Sequence, residues 1–129
     1  MRSIRYTLAL GLLLFLFFAA LGCGSGGSRE LQSITLTSSP SGNGVQFIAT
    51  GHYNQAPFSV SPLSALWAVY LTGGQTGPSI TQSGLAQCAA GAPGSFSILV
   101  YAPANSNIPV SRLTDATRVV VATGKLTCP

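Results

Sequence analysis

Downstream of Cys23, the sequence predicts an all-β protein, a β-sandwich of about seven short strands. Two observations predict this fold. Apolar residues recur at every second position, which is the spacing of a half-buried strand and not that of a helix face. Clusters of Gly, Pro, Asn and Ser interrupt the alternation about every 8–12 residues, as turns do in sandwiches. Each strand would therefore bury one face, and two packed sheets would share one core.

The alternating segments define the strands. They are, in chain order, Leu31–Thr37, Val45–Tyr53, Ala65–Tyr70, Ser79–Thr81, Leu85–Cys88, Ser95–Ala102 and Ala116–Cys128. The residues predicted to form the core are Val45, Phe47, Trp67, Phe96 and Ile98. In the last strand Leu126 and Cys128 have the opposite parity to Val119 and Val121, so the alternation leaves open which pair faces the core. Gly124, inside this strand, suggests a β-bulge.

The connections between these strands are rich in turn-forming residues. Asn54–Pro62 and Pro103–Thr114 each contain two prolines, which predicts loops. Glycine-containing turns are predicted at Ser38–Gly44, Thr72–Pro78 and Ala89–Gly94.

The first 22 residues have the layout of a secretory signal peptide, predicted to be a helix. Arg2 and Arg5 form a basic start, an uncharged apolar run follows, and small residues end it. The apolar part, Leu8–Leu21, is shorter than the ~20 residues that a membrane-spanning helix needs. The segment therefore favours a signal peptide that is removed, with an uncleaved membrane anchor as the alternative.

The residues Ala20-Leu21-Gly22-Cys23 resemble the lipobox of bacterial lipoproteins. The resemblance implies that the chain is cut before Cys23, that the Cys23 sulfur carries a diacylglycerol, and that its amino group is acylated, as with palmitate. Several acyl chains at one residue suffice for stable attachment to a membrane. Gly24 rather than Asp follows the cysteine, and the resemblance then implies a place in the cell envelope at the outer membrane or cell surface rather than the inner membrane.

These features divide the chain into three parts. Residues 1–22 are the predicted signal peptide, residues 23–30 are the lipidated cysteine with a flexible Gly/Ser tether, and residues 31–129 are one sandwich domain. If Cys23 carries lipid, Cys88 and Cys128 are left as a pair. An exported location permits a disulfide between them, which we expect, and two unpaired buried thiols are the alternative.

Charge excludes one class of partner. Charged residues are only 6% of the chain, and its formal net charge is +4. Arg2 and Arg5 belong to the predicted signal peptide, which leaves four scattered basic residues and two acidic ones. Such a surface lacks the basic patch that phosphate contacts require, so no nucleic-acid partner is predicted.

A longer pattern resembles bacterial immunoglobulin-like domains of group 2, the BIG2 type. It consists of Leu31-x-x-Ile34, Val45-Gln46-Phe47-x-Ala49-Thr50-Gly51-x-Tyr53, Trp67, Ile80-Thr81-x-x-Gly84-Leu85-Ala86 and Gly94-x-Phe96-x-Ile98. The resemblance implies an immunoglobulin-like sandwich. In that family such domains occur in surface and adhesion proteins as spacers or binding modules, and it brings no catalytic residues with it.

No catalytic, metal or cofactor site is predicted. His52 is the only histidine, and the acidic residues after the signal are Glu30, near the tether, and Asp115, in a long loop. A triad of His52, Asp115 and a serine would make a hydrolase, the remote alternative, but no Gly-x-Ser-x-Gly motif accompanies it. One histidine, two acids and a cysteine pair supply no convincing metal ligand set. We therefore expect a non-enzymatic protein.

Four residues are candidates for a binding patch. If the core residues of the predicted strands Ala65–Tyr70 and Ser95–Ala102 face inwards, then Leu66, Tyr70, Leu99 and Tyr101 face outwards. These strands are neighbours in an immunoglobulin-type sheet, so the four side chains would form one exposed apolar patch. The alternative is that the proline-containing loops cover them, or that they are scattered.

The expected function is that of a membrane-anchored, cell-envelope lipoprotein that acts as an interaction or adhesion module for a protein or glycan. The alternative is a structural or assembly subunit of an envelope complex, in which an edge strand pairs with a partner.

Overall fold

The computed structural model describes residues 27–129, and the predicted signal peptide and Cys23 lie outside the described residues. Eight strands and one short 3-10 helix are present in the described part. The strands are β1 (Leu31–Ser41), β2 (Gly44–Tyr53), β3 (Ser59–Val60), β4 (Leu66–Tyr70), β5 (Ser79–Ile80), β6 (Leu85–Gln87), β7 (Gly94–Pro103) and β8 (Val119–Cys128), and the 3-10 helix is Val110–Arg112.

The strands form two antiparallel sheets. One sheet has the order β1-β2-β6-β5, with β3 also paired to β2, and the other has the order β4-β7-β8. This is the order of an immunoglobulin constant-type sandwich, in which strands A-B-E-D lie over C-F-G, with β3 as an addition. The predicted all-β, immunoglobulin-like sandwich is confirmed.

The core lies between the sheets and contains most of the predicted residues. Phe47, Trp67, Phe96 and Ile98 are buried, and Val45 is partly buried against them. The rings of Phe47 and Trp67 lie with their centroids 6.5 Å apart and bring the two sheets into contact. Simple alternation therefore identified the inward faces of β2, β4 and β7.

Leu31 reaches the core through a break in the alternation. Ile34 is buried and Leu36 partly buried, so a regular strand would turn Leu31 outwards. The pairing of β1 with β2 shifts register between Leu31 and Ser33, as in a β-bulge. The shift points Leu31 inwards, where it is 0% exposed.

The structure corrects the prediction of a strandless loop over Asn54–Pro62. Ser59 and Val60 pair with His52 and Gly51 of β2 and form β3. A strand of two residues is too short to show alternation, and it exists only because β2 is beside it. The last strand was predicted to start at Ala116, but β8 starts at Val119.

The β-bulge predicted at Gly124 was wrong. The pairing of β7 with β8 runs without a register shift from Gly94 and Cys128 to Pro103 and Val119. A Cβ atom at Gly124 would lie 3.1 Å from Phe47 Cε1 and 3.2 Å from a Leu36 methyl carbon. The glycine therefore makes room for side chains of the facing sheet.

The predicted disulfide between Cys88 and Cys128 is confirmed, with 5.6 Å between the Cα atoms. Cys128 ends β8 in one sheet, and Cys88 directly follows β6 in the other. The bond therefore ties the two sheets together at one end of the sandwich.

Candidate functional site

The candidate patch lies on the outward side of the β4-β7-β8 sheet, which we call the outer face. Trp67 pairs with Val100, and both are buried. Because successive side chains of a strand point to opposite sides, the residues between them point outwards. The four predicted patch residues, Leu66, Tyr70, Leu99 and Tyr101, all belong to this outward set.

The strand register brings part of the patch into one row. Leu66 lies directly opposite Tyr101, and Tyr101 lies directly opposite Val121 of β8. Directly opposite side chains on one face of a sheet are close enough to contact each other. Leu99 is one step along the same face from Tyr101, whereas Tyr70 lies opposite Ser97 at the other end of β4.

The patch is most exposed at its rim. Tyr70 is 61% exposed, Val121 52% and Val119 38%. Leu66, Leu99 and Tyr101 are half-buried. Leu99 and Tyr101 lie on the central strand β7, where neighbours on both sides cover part of them, whereas Leu66 is half-buried on the edge strand β4.

One loop that could have covered the patch lies elsewhere. Ile108, Pro109 and Val110 of the Pro103–Thr114 segment line a cavity of about 280 Å³ together with Tyr53 and Leu63. That cavity is at the end of the sandwich, beside the inward-facing Ala102.

Val119 and Val121 belong to the outer face, which the alternation had left open. Val120 packs against the core, and Leu126 and Cys128 are buried. One signal in the sequence could have settled this question. Cys128 must point towards the other sheet to bond Cys88, which turns every odd-numbered residue of β8 outwards.

The outer face is nearly free of charge. Lys125 is the only charged residue of β4, β7 and β8. Arg118, just before β8, forms an exposed ion pair with Glu30 at 3.6 Å, which contributes at most about 1 kcal/mol. The row of Leu66, Tyr101 and Val121 would make mainly apolar contacts, whereas Ser97, Thr123 and Lys125 make the other end of the face polar.

The end of the predicted tether is bound to one end of the sandwich. The guanidinium of Arg29 lies 3.5 Å from the centre of the Tyr53 ring and donates hydrogen bonds to the carbonyl oxygens of Gln55 and Pro57. Ser106 donates both its amide and its hydroxyl to the Arg29 carbonyl, at 3.2 and 2.8 Å. This end, where β8 begins, lies opposite the end with the disulfide.

A cleft of about 580 Å³ opens beside β2, where no strand pairs with it between β6 and β3. Phe47, Leu63 and Trp67 provide its apolar surface, and Gln46 and Gln82 are among its polar residues. The sequence held no signal for this cleft, because it arises from the interruption of a sheet and not from a motif.

The residues of the hydrolase alternative lie on different elements. His52 is on the side of β2 that points away from the core, where its Nε2 atom lies 3.0 Å from the hydroxyl of Thr35. Asp115 is exposed in the connection to β8. Within residues 27–129, no three His, Cys, Asp or Glu side chains gather as a metal site.

In the same part of the chain, no helix is long and apolar enough to cross a membrane. Comparisons with family models, with curated proteins and with solved structures find no match to this chain.

Proposed function

We propose that this protein is a non-enzymatic lipoprotein of the bacterial cell envelope, whose immunoglobulin-like domain binds a partner through the outer face. The observation that carries the proposal is the row of Leu66, Tyr101 and Val121, which crosses three strands on an exposed side of the sandwich. A contiguous exposed apolar patch commonly marks a contact surface.

The anchor in this proposal is lipid on Cys23. Its support is the basic and apolar leader, the lipobox-like Ala20-Leu21-Gly22-Cys23 and the Gly/Ser tether that follows. The disulfide between Cys88 and Cys128 also supports export, because disulfides persist in oxidising compartments. The similarity to BIG2 domains of surface and adhesion proteins points the same way.

The binding partner in this proposal is a protein or glycan surface. Tyr70 and Tyr101 supply aromatic rings with a polar end, which interfaces favour, and Leu66, Leu99 and Val121 supply aliphatic area. With Lys125 as the only charge, the face suits a neutral partner better than a strongly acidic one.

The test is capture of envelope components from detergent extracts by the purified protein. We expect the double variant Tyr70→Ser with Tyr101→Ser to lose the captured partner while keeping its fold. Ile48→Ser is the matched control, because Ile48 is a large exposed apolar residue on the other sheet, 40% exposed. Equal capture by the wild type and the double variant would exclude the outer face as the binding surface.

A second candidate function is that of an assembly subunit in an envelope complex. The long edge strand β8 favours it, because edge strands can take up a strand of another chain. In the same experiment, one partner captured in fixed stoichiometry would support this function, and a glycan or an extracellular ligand would support the first.

A further inference from the structure

Among the described residues, the edge strands of the sandwich differ in how well they are protected against pairing. β3 and β5 have two residues each. β1 carries a register shift after Leu31 and a proline, Pro40. On the short strand β4, the side-chain amide of Gln82 bonds both the N–H and the C=O of Trp67, each at 3.3 Å. Short length, bulges, prolines, charged side chains and covering groups are the means by which proteins prevent unwanted strand pairing.

β8 is the edge strand with the least such protection, a single charged side chain, Lys125. It has ten residues and no proline, and it pairs with β7 without a register shift. Ala104 donates to the carbonyl of Arg118, so even-numbered residues bond β7 and odd-numbered ones direct their N–H and C=O groups to the unpaired side. The residues whose backbone N–H and C=O groups face the unpaired side are Val119, Val121, Thr123, Lys125 and Thr127.

We propose that β8 of a second copy of this chain pairs with this edge in antiparallel orientation, joining two three-stranded sheets into one. With Thr123 on the two-fold axis, Val119 lies opposite Thr127 and Val121 lies opposite Lys125 of the other copy. All five open residues of each copy then exchange backbone hydrogen bonds, as directly opposite residues do in an antiparallel pair.

The charges of the strand fit this register. Lys125 is the only charged residue of β8, and it would meet Val121, along which its aliphatic stem can pack. The two Lys125 residues would be four positions apart, or about 13 Å, which exceeds the screening length of about 8 Å at physiological salt. The pairing therefore places no like charges opposite each other.

The size of the contact determines where such a dimer forms. A ten-residue strand is about 33 Å long, so edge pairing covers roughly 300–400 Å² on each copy, against about 800 Å² in a stable interface. The contact is too small for a tight dimer in dilute solution. It rests on the proposed anchoring to a membrane, where confinement raises the effective concentration of one copy around another.

Thiol crosslinking of the full chain in its host membrane tests this inference. In a Thr123→Cys variant the new thiols of two copies meet on the axis, so a short bismaleimide should give a covalent dimer. Val119→Cys alone should give several-fold less, because Val119 meets Thr127 and not itself. Mixing Val119→Cys copies with Thr127→Cys copies should restore the dimer. Thr37→Cys, exposed on β1, measures random collision.

A proline separates strand pairing from mere proximity. Thr123→Pro removes an N–H that faces the unpaired side and leaves the bonds to β7 intact, whereas Thr123→Ala keeps that N–H. We expect the proline, and not the alanine, to abolish crosslinking between Val119→Cys and Thr127→Cys copies. The far-UV circular dichroism spectrum of the strands and the Cys88–Cys128 bond should be unchanged in both variants.

Equal dimer yields from Thr123→Cys, Val119→Cys and Thr37→Cys would overturn the inference, as would crosslinking of Thr123→Cys to a different protein. The intact mass of the same membrane sample separates this failure from failure of the proposed function. A lipidated protein without dimer refutes the pairing alone, and a protein without lipid refutes the anchor.

Discussion

Gly124 lies on the inward side of β8, facing Phe47 and Leu36 of the other sheet. A Cβ atom there would come within 3.1 Å of the Phe47 ring and within 3.2 Å of Leu36. Phe47 is buried and in contact with Trp67, so it has little freedom to move away. The absence of a side chain at this position lets the two sheets share their core.

We expect Gly124→Val to destabilise the domain by about 1–3 kcal/mol, the usual cost of overpacking a core. Urea unfolding, followed through the fluorescence of Trp67, the only tryptophan, measures the change. Thr123→Val is the control, because it adds the same side chain on the outward side, where changes are within about 0.5 kcal/mol. Equal unfolding midpoints for the two variants would contradict this account of Gly124.

Gly124 also shows a limit of prediction from sequence. A glycine inside a strand has two common explanations, a bulge or the close approach of another group. A bulge is a property of the strand itself. A close approach depends here on a side chain some 77 positions away in the chain, so no local pattern distinguishes the two explanations. Leu31 shows the converse case, since only its pairing with β2 reveals the bulge.

Strand length decides only in part which elements the sequence predicts, since β5 and β3 have two residues each and only β5 was predicted. β2 and β7 each have ten residues, enough for several inward and outward positions, and their alternation identified both. β3 has two residues and no alternation to detect. It is a strand because β2 offers hydrogen-bonding groups beside it, which is a property of the tertiary structure.

The disulfide acts at the level of whole elements. Cys88 and Cys128 are 40 positions apart and lie in different sheets, so the bond restricts a long loop of the unfolded chain. It also holds the end of β8, which otherwise has only β7 as a hydrogen-bonded neighbour.

We expect the double variant Cys88→Ala with Cys128→Ala to lose about 3–4 kcal/mol of unfolding free energy, the contribution expected for closing a loop of this length. Urea unfolding of the variant and of the wild type measures the difference. Wild type treated with a reductant is the control and should match the variant. An unchanged midpoint would mean that the bond adds no stability.

At the scale of the whole molecule, the sequence predicted the outer face, but not the cleft beside β2 or the unpaired edge of β8. Parity and the neighbouring positions of two strands predicted that Leu66, Tyr70, Leu99 and Tyr101 share a side, and the register adds Val121 to them. The cleft beside β2 and the unpaired edge of β8 could not be predicted, because both depend on which strands are absent as neighbours.

The first residues that the structure describes relate the proposed anchor to the proposed pairing of β8. Residues 27–30 contact the loops at the end where β8 begins, through Arg29 and Glu30. The two-fold axis of antiparallel pairing puts these ends of the two copies at opposite ends of the joined sheet. Both tethers then reach one membrane when the strands of the joined sheet lie along the membrane surface.

This arrangement depends on Cys23, and the substitution Cys23→Ser tests it. We expect the wild-type protein from membranes to begin at Cys23 and to carry acyl chains, because a thiolate is the nucleophile that lipid attachment requires. A serine hydroxyl is a far weaker nucleophile, so the variant should carry no lipid and should keep residues 1–22. Intact mass measures both changes at once. The variant Cys88→Ala with Cys128→Ala is the control and should be cut and acylated like wild type. If wild type itself keeps residues 1–22 without lipid, the leader is an uncleaved anchor, and the sulfur of Cys23 has no part in attachment.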